Sequence, residues 1–377
     1  MRTITSVVNI KNIKGKRVIV RAELNVPIKN GRVADDFRIR KAVQTILYLK
    51  KRGARVIVIG HIGREGKETL KPVARAMGRF VNIGFAPYSA DSKKARDVVD
   101  AMKNGTVIML ENLRRDSREK ENDRAFARAI AALGDVYVND AFSVSHRTHA
   151  SIVGVPKLLP SYAGLLFEDE VRHLSLALSP KHPFLFILGG AKFETKLPLI
   201  KKYVEIADTV FVGGALANDF FRYQGCDVGK STAEKPTFSL ARLEKRRNLL
   251  LPEDVVVKGK GGVSTKEPCD IAHSDTIVDA GAKSISTLLP LIARARFILM
   301  NGPLGNYEEG FDGATKEILK QVAKSKALSI IGGGDTVALV TKAKMEKRFS
   351  FVSTGGGAML AFLAKGTLRG IEALKNK

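Results

Sequence analysis

Three features of the sequence predict an α/β fold of two doubly wound, parallel-sheet (Rossmann-like) domains joined by a hinge helix. Short β-branched runs recur along the chain, and most are followed by a segment of helical periodicity. The runs are apolar almost throughout, as expected of strands covered by helices on both faces. The length, 377 residues, suits two domains that each bury a core.

In the first half, strands are read at 17–21 (RVIVR), 55–60 (RVIVIG), 106–110 (TVIML) and 135–138 (DVYV). Between the first two, Ile39, Val43, Ile46 and Leu47 recur on one helix face and Gly53 supplies a stop. The second half repeats the rhythm at 184–188, 209–213, 255–258, 276–279, 296–300, 328–331 and 350–353. The division is placed as an N-terminal domain over 1–167, a hinge helix over 168–182, a C-terminal domain over 183–360, and a last segment over 361–377 expected to return to the N-terminal domain. Acidic residues Glu168, Asp169 and Glu170 open the hinge helix, and Pro180 and Pro183 close it.

Composition narrows the function. Lys and Arg number 63 against 38 Asp and Glu, a net charge of +25, and the first 167 residues carry +17 of it. An anionic partner is implied, with the first half as its site. The absence of Trp, of aromatic interleaving and of helix-turn-helix or zinc-finger spacing argues against specific nucleic-acid binding. No run reaches the ~18 apolar residues of a membrane span, and no secretory signal opens the chain. Cys226 and Cys269 form no disulfide framework and no Cys-x-x-Cys pair, which fits a reducing, cytoplasmic setting.

Open α/β sheets bind ligands beyond the carboxyl ends of their strands. In the first half those ends carry Arg21 and Asn25, then His61 and Arg64, then Arg114, then Asn139, Asp140, His146, Arg147 and His149, with Arg38 at the head of the first long helix. Such residues make a basin for a small, multiply charged anion, or a set of solvated charges. The pair His146 and His149 has no third ligand beside it, so zinc is disfavoured.

In the second half the strand ends are glycine-rich, at 189–190, 213–214, 302, 332–334 and 355–357. Glycine lets backbone N–H groups approach phosphate oxygens, and five such turns point to a nucleotide. Lys192 and Lys196 stand one helical turn apart within reach of one phosphate. Asp335 heads a helix, either as a Mg²⁺ ligand or as a plain helix-terminal charge. The run Gly229-Lys230-Ser231 mimics the tail of a Walker loop, but its first glycine is replaced by Gln224. No Gly-x-Gly-x-x-Gly follows the first strand of either half, which disfavours a nicotinamide enzyme.

The blocks RAELNVP (21–27), DDFRIR (35–40), HIGR (61–64), LENLR (110–114), YVNDAF with HRTHAS (137–151), ILGGAKFETKL (187–197), VGGALA (212–217), NGPLG with Tyr307 and Glu308 (301–308), GGGDT (332–336) and STGGGAML (353–360) occur in order along the chain. Together they resemble the phosphoglycerate kinase family over nearly its whole length. The resemblance implies reversible Mg²⁺-dependent phosphoryl transfer from 1,3-bisphosphoglycerate to ADP, giving 3-phosphoglycerate and ATP. It places the glycerate on the N-terminal domain and ADP/ATP on the C-terminal one, with domain closure as part of turnover.

By matching position, the resemblance assigns Arg21, Glu23, Asn25, Arg38, His61, Arg64, Arg114, His146 and Arg147 to the triose. Lys196, Gly213, Gly214, Asn301, Pro303, Glu308, Gly333, Gly334, Asp335 and Thr336 fall to the nucleotide, with Asp335 on the metal. Arg38, Lys192, Lys196 and Gly356 fall to the moving phosphoryl group. The chain departs from the family pattern at Glu23, where Asp is usual, and at Met300, Ala314, Ala361 and Arg369. The expected protein is a cytoplasmic monomer acting on small molecules, with no membrane association. A weakened relative kept as a scaffold is the alternative that Glu23 and Ala361 raise.

Overall fold

The computed structural model describes residues 4–233 and 238–375. Two compact units appear, the first made of residues 1–172 and 365–377 and the second of residues 173–364.

The first unit is built on six parallel strands: β1 (Arg17–Ala22), β2 (Arg55–Ile59), β3 (Gly84–Ala86), β4 (Val107–Leu110), β5 (Val136–Asp140) and β6 (Ser161–Ala163). Their spatial order is β3-β4-β2-β1-β5-β6, so the direction of winding reverses between β1 and β5. There Arg21 pairs with Asn139 on one side and with Ile59 on the other. Helix α1 (Phe37–Lys51) packs Ile39, Val43, Ile46 and Leu49 into one side of the core, and Gly53, at φ +78°, turns the chain into β2.

The second unit holds a matching parallel sheet: β7 (Phe184–Leu188), β8 (Thr209–Val212), β9 (Leu249–Leu250), β13 (Phe297–Asn301), β14 (Leu328–Gly332) and β15 (Phe351–Val352). Its order is β9-β8-β7-β13-β14-β15, with the reversal between β7 and β13. The strands β10 (Val255–Gly259), β11 (Gly262–Lys266) and β12 (Thr276–Ala280) form a separate antiparallel sheet instead. This corrects the reading of 255–258 and 276–279 as parallel core strands. Lys258 and Gly259 leave the apolar run at its exposed end, and β11 is exposed along most of its length, so one face of this small sheet meets water.

Two further expectations are revised. The helical run read at 165–180, with the hinge placed over 168–182, forms a helix over Leu165–Leu176 (α3) that ends earlier than expected; buried Asp140 accepts from the Leu166 and Phe167 amides at its start, at 3.0 and 3.2 Å. The cysteines form a single bridge, Cys226 to Cys269, because the chain folding back over 43 residues brings their Cα atoms to 4.6 Å. No helix among the described residues is long and apolar enough to cross a membrane.

Candidate active site

In the first unit, the carboxyl ends of β1, β2, β4 and β5 carry the basic residues singled out above. Arg21, the penultimate residue of β1, is fully buried. Its guanidinium donates from Nε to Ser151 Oγ at 3.0 Å, from NH1 to its neighbour's carbonyl at 2.8 Å, and from NH2 to His61 Nδ1 at 2.9 Å. Arg38, from the first turn of α1, donates to the Asn25 carbonyl at 2.8 Å and stands 3.6 Å from buried Glu23. The Asn25 side chain accepts from the Gly63 amide at 3.1 Å, and Arg114 donates to the Gly63 carbonyl at 2.5 Å. Loops after β1, β2 and β4 are thereby tied to one another. His146 is half-buried, while Arg64 and Arg147 are exposed.

The electrostatics suit an anion. Burial and then the charges of Arg21 and Arg147 pull Arg114 down to about 10. Burial, Arg21 and Arg114 hold His61 well below its ordinary range, and the same causes push His149 down to about 3. The histidines are therefore neutral at pH 7, and the remaining cations repel one another. A multiply charged anion would relieve that repulsion.

The carboxylate acceptors of this basin are Glu23 and Glu119, neither exposed. Glu23 accepts from the Ser143 hydroxyl through Oε2, while its Oε1 has no hydrogen-bond partner among the described residues. Glu119, on the short helix α2 (Ser117–Glu121), escaped the sequence reading because its block LENLRRDSREKE looks like an ordinary charged surface.

In the second unit a cavity of about 470 Å³ opens at the carboxyl ends of the strands. Gly214, Pro303, Glu308 and Asp335, four of the residues assigned above to the nucleotide, line it. Gly213, Asn301 and Thr336 are buried and Gly333 is half-buried, none of them lining the cavity. Lys192, Gly334 and Gly356 also lie outside the lining, Lys192 and Gly334 exposed and Gly356 half-buried. Thr276, Asp279 and Asn306 are additional walls that strand-end reasoning missed, since they come from the small antiparallel sheet and the loop after β13, and Tyr307 of the 301–308 block stands beside them. Lys230 lines it too, the one residue of the rejected Gly229-Lys230-Ser231 run that does.

Glycine has a clear physical role at two positions here. A Cβ on Gly214 (φ +61°) would stand 2.8 Å from the Gly190 nitrogen, and one on Gly333 (φ +92°) 2.8 Å from the Gly302 nitrogen. Loops from β7, β8, β13 and β14 approach so closely that only hydrogen fits between them. Lys196, on helix α4 (Phe193–Tyr203), turns its buried ammonium to the Gly189 carbonyl beneath these loops. Burial lowers it to about 8, although Asp335 opposes the shift.

Asp335 is exposed in the first turn of helix α5 (Gly334–Lys342), and adjacent Thr336 has a buried hydroxyl with no partner among the described residues. No group of three or more metal-ligating side chains exists among the described residues. A single carboxylate at a helix start suits Mg²⁺, which keeps water and phosphate oxygens as its other ligands.

Comparison with known proteins agrees with this picture. The profile described as phosphoglycerate kinase matches residues 7–366. A phosphoglycerate kinase of Pelotomaculum thermopropionicum is 40% identical over 386 residues, covering 97% of this chain and 98% of that one. One from Dictyoglomus turgidum is 38% identical over 385 residues, covering 97% of each. Among solved structures, the phosphoglycerate kinase of Coxiella burnetii superposes with a TM-score of 0.82 at 36% identity, covering 99% of both chains. That of Pyrococcus horikoshii OT3 gives 0.88 at 29% identity, covering 98% of both.

Proposed function

The chain belongs to the phosphoglycerate kinase family, and on that footing we propose that its first unit binds the phosphorylated three-carbon acid and its second the adenine nucleotide. The reaction moves a phosphoryl group between the acyl phosphate of 1,3-bisphosphoglycerate and ADP. The observation that carries the assignment is the convergence of Arg21, His61, Arg38 and Arg114 on one switch point, with the histidine neutral and the arginines repelling one another.

Phosphoryl transfer spreads charge over three equatorial oxygens, so positioning and positive electrostatics supply most of the rate. Arg38 and Arg114 supply fixed N–H donors for the anionic acid. Asn25 holds the loop that carries Gly63, and through it the place of Arg114. Arg64, His146 and Arg147 complete the triose set. Lys196 holds a proton that its low setting lets it give up or regain near neutral pH, and Lys192 and the amides at Gly356 join it on the phosphoryl group. Gly213, Gly214, Asn301 and Pro303 form the closely packed wall for the nucleotide, Glu308 faces its sugar, and Gly333, Gly334 and Thr336 its phosphates. Asp335 would hold Mg²⁺, which when bound neutralises phosphate charge.

We place the enzyme in the cytoplasm as a monomer; its large exposed apolar side chains, such as Phe80, Leu176 and Val263, come from separate segments. Calorimetry with 3-phosphoglycerate and with ADP, each alone, tests the division of labour. Arg114→Ala should weaken the acid at least tenfold, the loss of one charged hydrogen bond, and leave ADP within twofold. Equal weakening of both would overturn it.

A further inference from the structure

A buried relay lies under the basin. Glu119 turns both carboxylate oxygens to one residue: Oε2 accepts from the Ser151 amide at 2.9 Å and Oε1 from the Ser151 hydroxyl at 2.6 Å. A serine hydroxyl has one proton, and here Glu119 takes it. The Ser151 oxygen is left as an acceptor and receives Arg21 Nε at 3.0 Å. Arg21 in turn reaches His61 Nδ1 at 2.9 Å. A guanidinium can only donate, so Nδ1 must accept, and the neutral ring carries its proton on Nε2. Tyr137 pins the same serine from behind, donating to its carbonyl at 2.5 Å. Glu119, Ser151, Arg21 and Tyr137 are almost wholly buried, and His61 is only 1% exposed.

Arg21, which can only donate, sets the direction at Ser151 Oγ and at His61 Nδ1, and Glu119 and Ser151 hold the guanidinium in the place where it does so. With the Glu119 carboxylate replaced by an amide, one of the two acceptor oxygens that hold Ser151 becomes a donor, the serine can move from the place where its oxygen accepts from Arg21, and Arg21 can move off His61 Nδ1. His61 would then be free to adopt the other tautomer, in which Nε2 offers a lone pair to an incoming anion and repels it.

We propose that Glu119 and Ser151 are positioning residues for the reaction: through Arg21 they lock His61 in the tautomer whose Nε2–H donates to the anionic acid. This rests on the assignment of the acid to the first unit. Both residues act at one remove from substrate.

The test is ¹⁵N NMR of the full-length protein labelled at histidine, together with steady-state kinetics. The unaltered protein should show His61 as the neutral Nε2–H tautomer at pH 7, and its resonances should move on addition of 3-phosphoglycerate. If they do not move, the placement of the acid fails and the proposal with it. In Ser151→Ala and Glu119→Gln, His61 should lose its single tautomer. The KM for 3-phosphoglycerate should rise at least tenfold, as for a lost charge-assisted hydrogen bond, with the KM for ATP within twofold. Ser151→Thr, which keeps the hydroxyl, should restore both readouts. If the acid shifts His61 in the unaltered protein, but either impaired variant keeps the tautomer and the KM, the relay is overturned. A threonine variant as impaired as alanine overturns it as well.

Discussion

Single residues hold the chemistry through what burial does to their protons. Asp140 is fully buried, and desolvation lifts it to about 7 even though it accepts from the first amides of α3. A carboxyl raised in the folded state keeps a proton that the unfolded chain has released. Its contribution to stability is thus complete below about pH 4 and is lost as pH rises toward 7, at up to ~1.4 kcal/mol per pH unit. Asp140→Asn keeps an acceptor without the charge, so urea melts should show it gaining on the unaltered protein as pH rises from 4.5 to 7. A constant difference across that range would contradict desolvation as the cause. Glu23 poses the reverse problem, a buried carboxylate 3.6 Å from Arg38 whose second oxygen depends on Ser143. Arg38→Ala removes the cation proposed to face the transition state and leaves Glu23 without it. The expected result is a fall in kcat of at least about 100-fold with the KM for nucleotide little changed.

At the scale of elements, the strand ends do the positioning. Four loops of the second sheet pass close enough to exclude any side chain, and Lys196 fills the space under them. A Cβ on Gly302 would stand 2.9 Å from that ammonium, and Gly302 sits at φ +90°. Gly302→Ala should weaken ADP by roughly tenfold, from strain of ~1–3 kcal/mol, without moving the affinity for 3-phosphoglycerate. Because Lys196 sits near 8, ADP binding should weaken as pH rises past that value, when the cation facing phosphate is lost. A flat profile between pH 7 and 9.5 would show that Lys196 does not face the nucleotide.

The same elements explain what could be read from sequence. The parallel strands were legible because runs such as FLFIL at 184–188 are buried on both faces and carry nothing but apolar residues. The antiparallel sheet was not, since Val255 to Val257 look the same in isolation and the direction is set by their two antiparallel partners, β11 and β12. Arg21 and His61 could be named from their places at strand ends. Glu119 and Ser151 could not, because their significance lies in a contact across 32 residues.

At the scale of the whole molecule, net charge and fold tell different parts of the story. The excess of +25 is concentrated toward the first half, where the basin proposed for the acid lies, yet it far exceeds what one small anion requires. Nothing in the structure explains the remainder. Each unit carries its own parallel sheet and its own reversal of strand order, and the candidate residues gather at both reversals. The two half-sites should therefore respond to different treatments. Chelating Mg²⁺ should abolish turnover and leave 3-phosphoglycerate binding intact, as calorimetry in the presence of EDTA would show.

The central claim is that a cationic basin on one unit and a nucleotide pocket on the other together perform phosphoryl transfer. It is tested most directly by following ATP formation from 1,3-bisphosphoglycerate and ADP with the unaltered chain and with Arg38→Ala. Turnover by the first and a loss of at least about 100-fold in kcat by the second, at unchanged ADP affinity, is the expected result. No turnover by the unaltered protein, or equal kcat in the two, would contradict the claim.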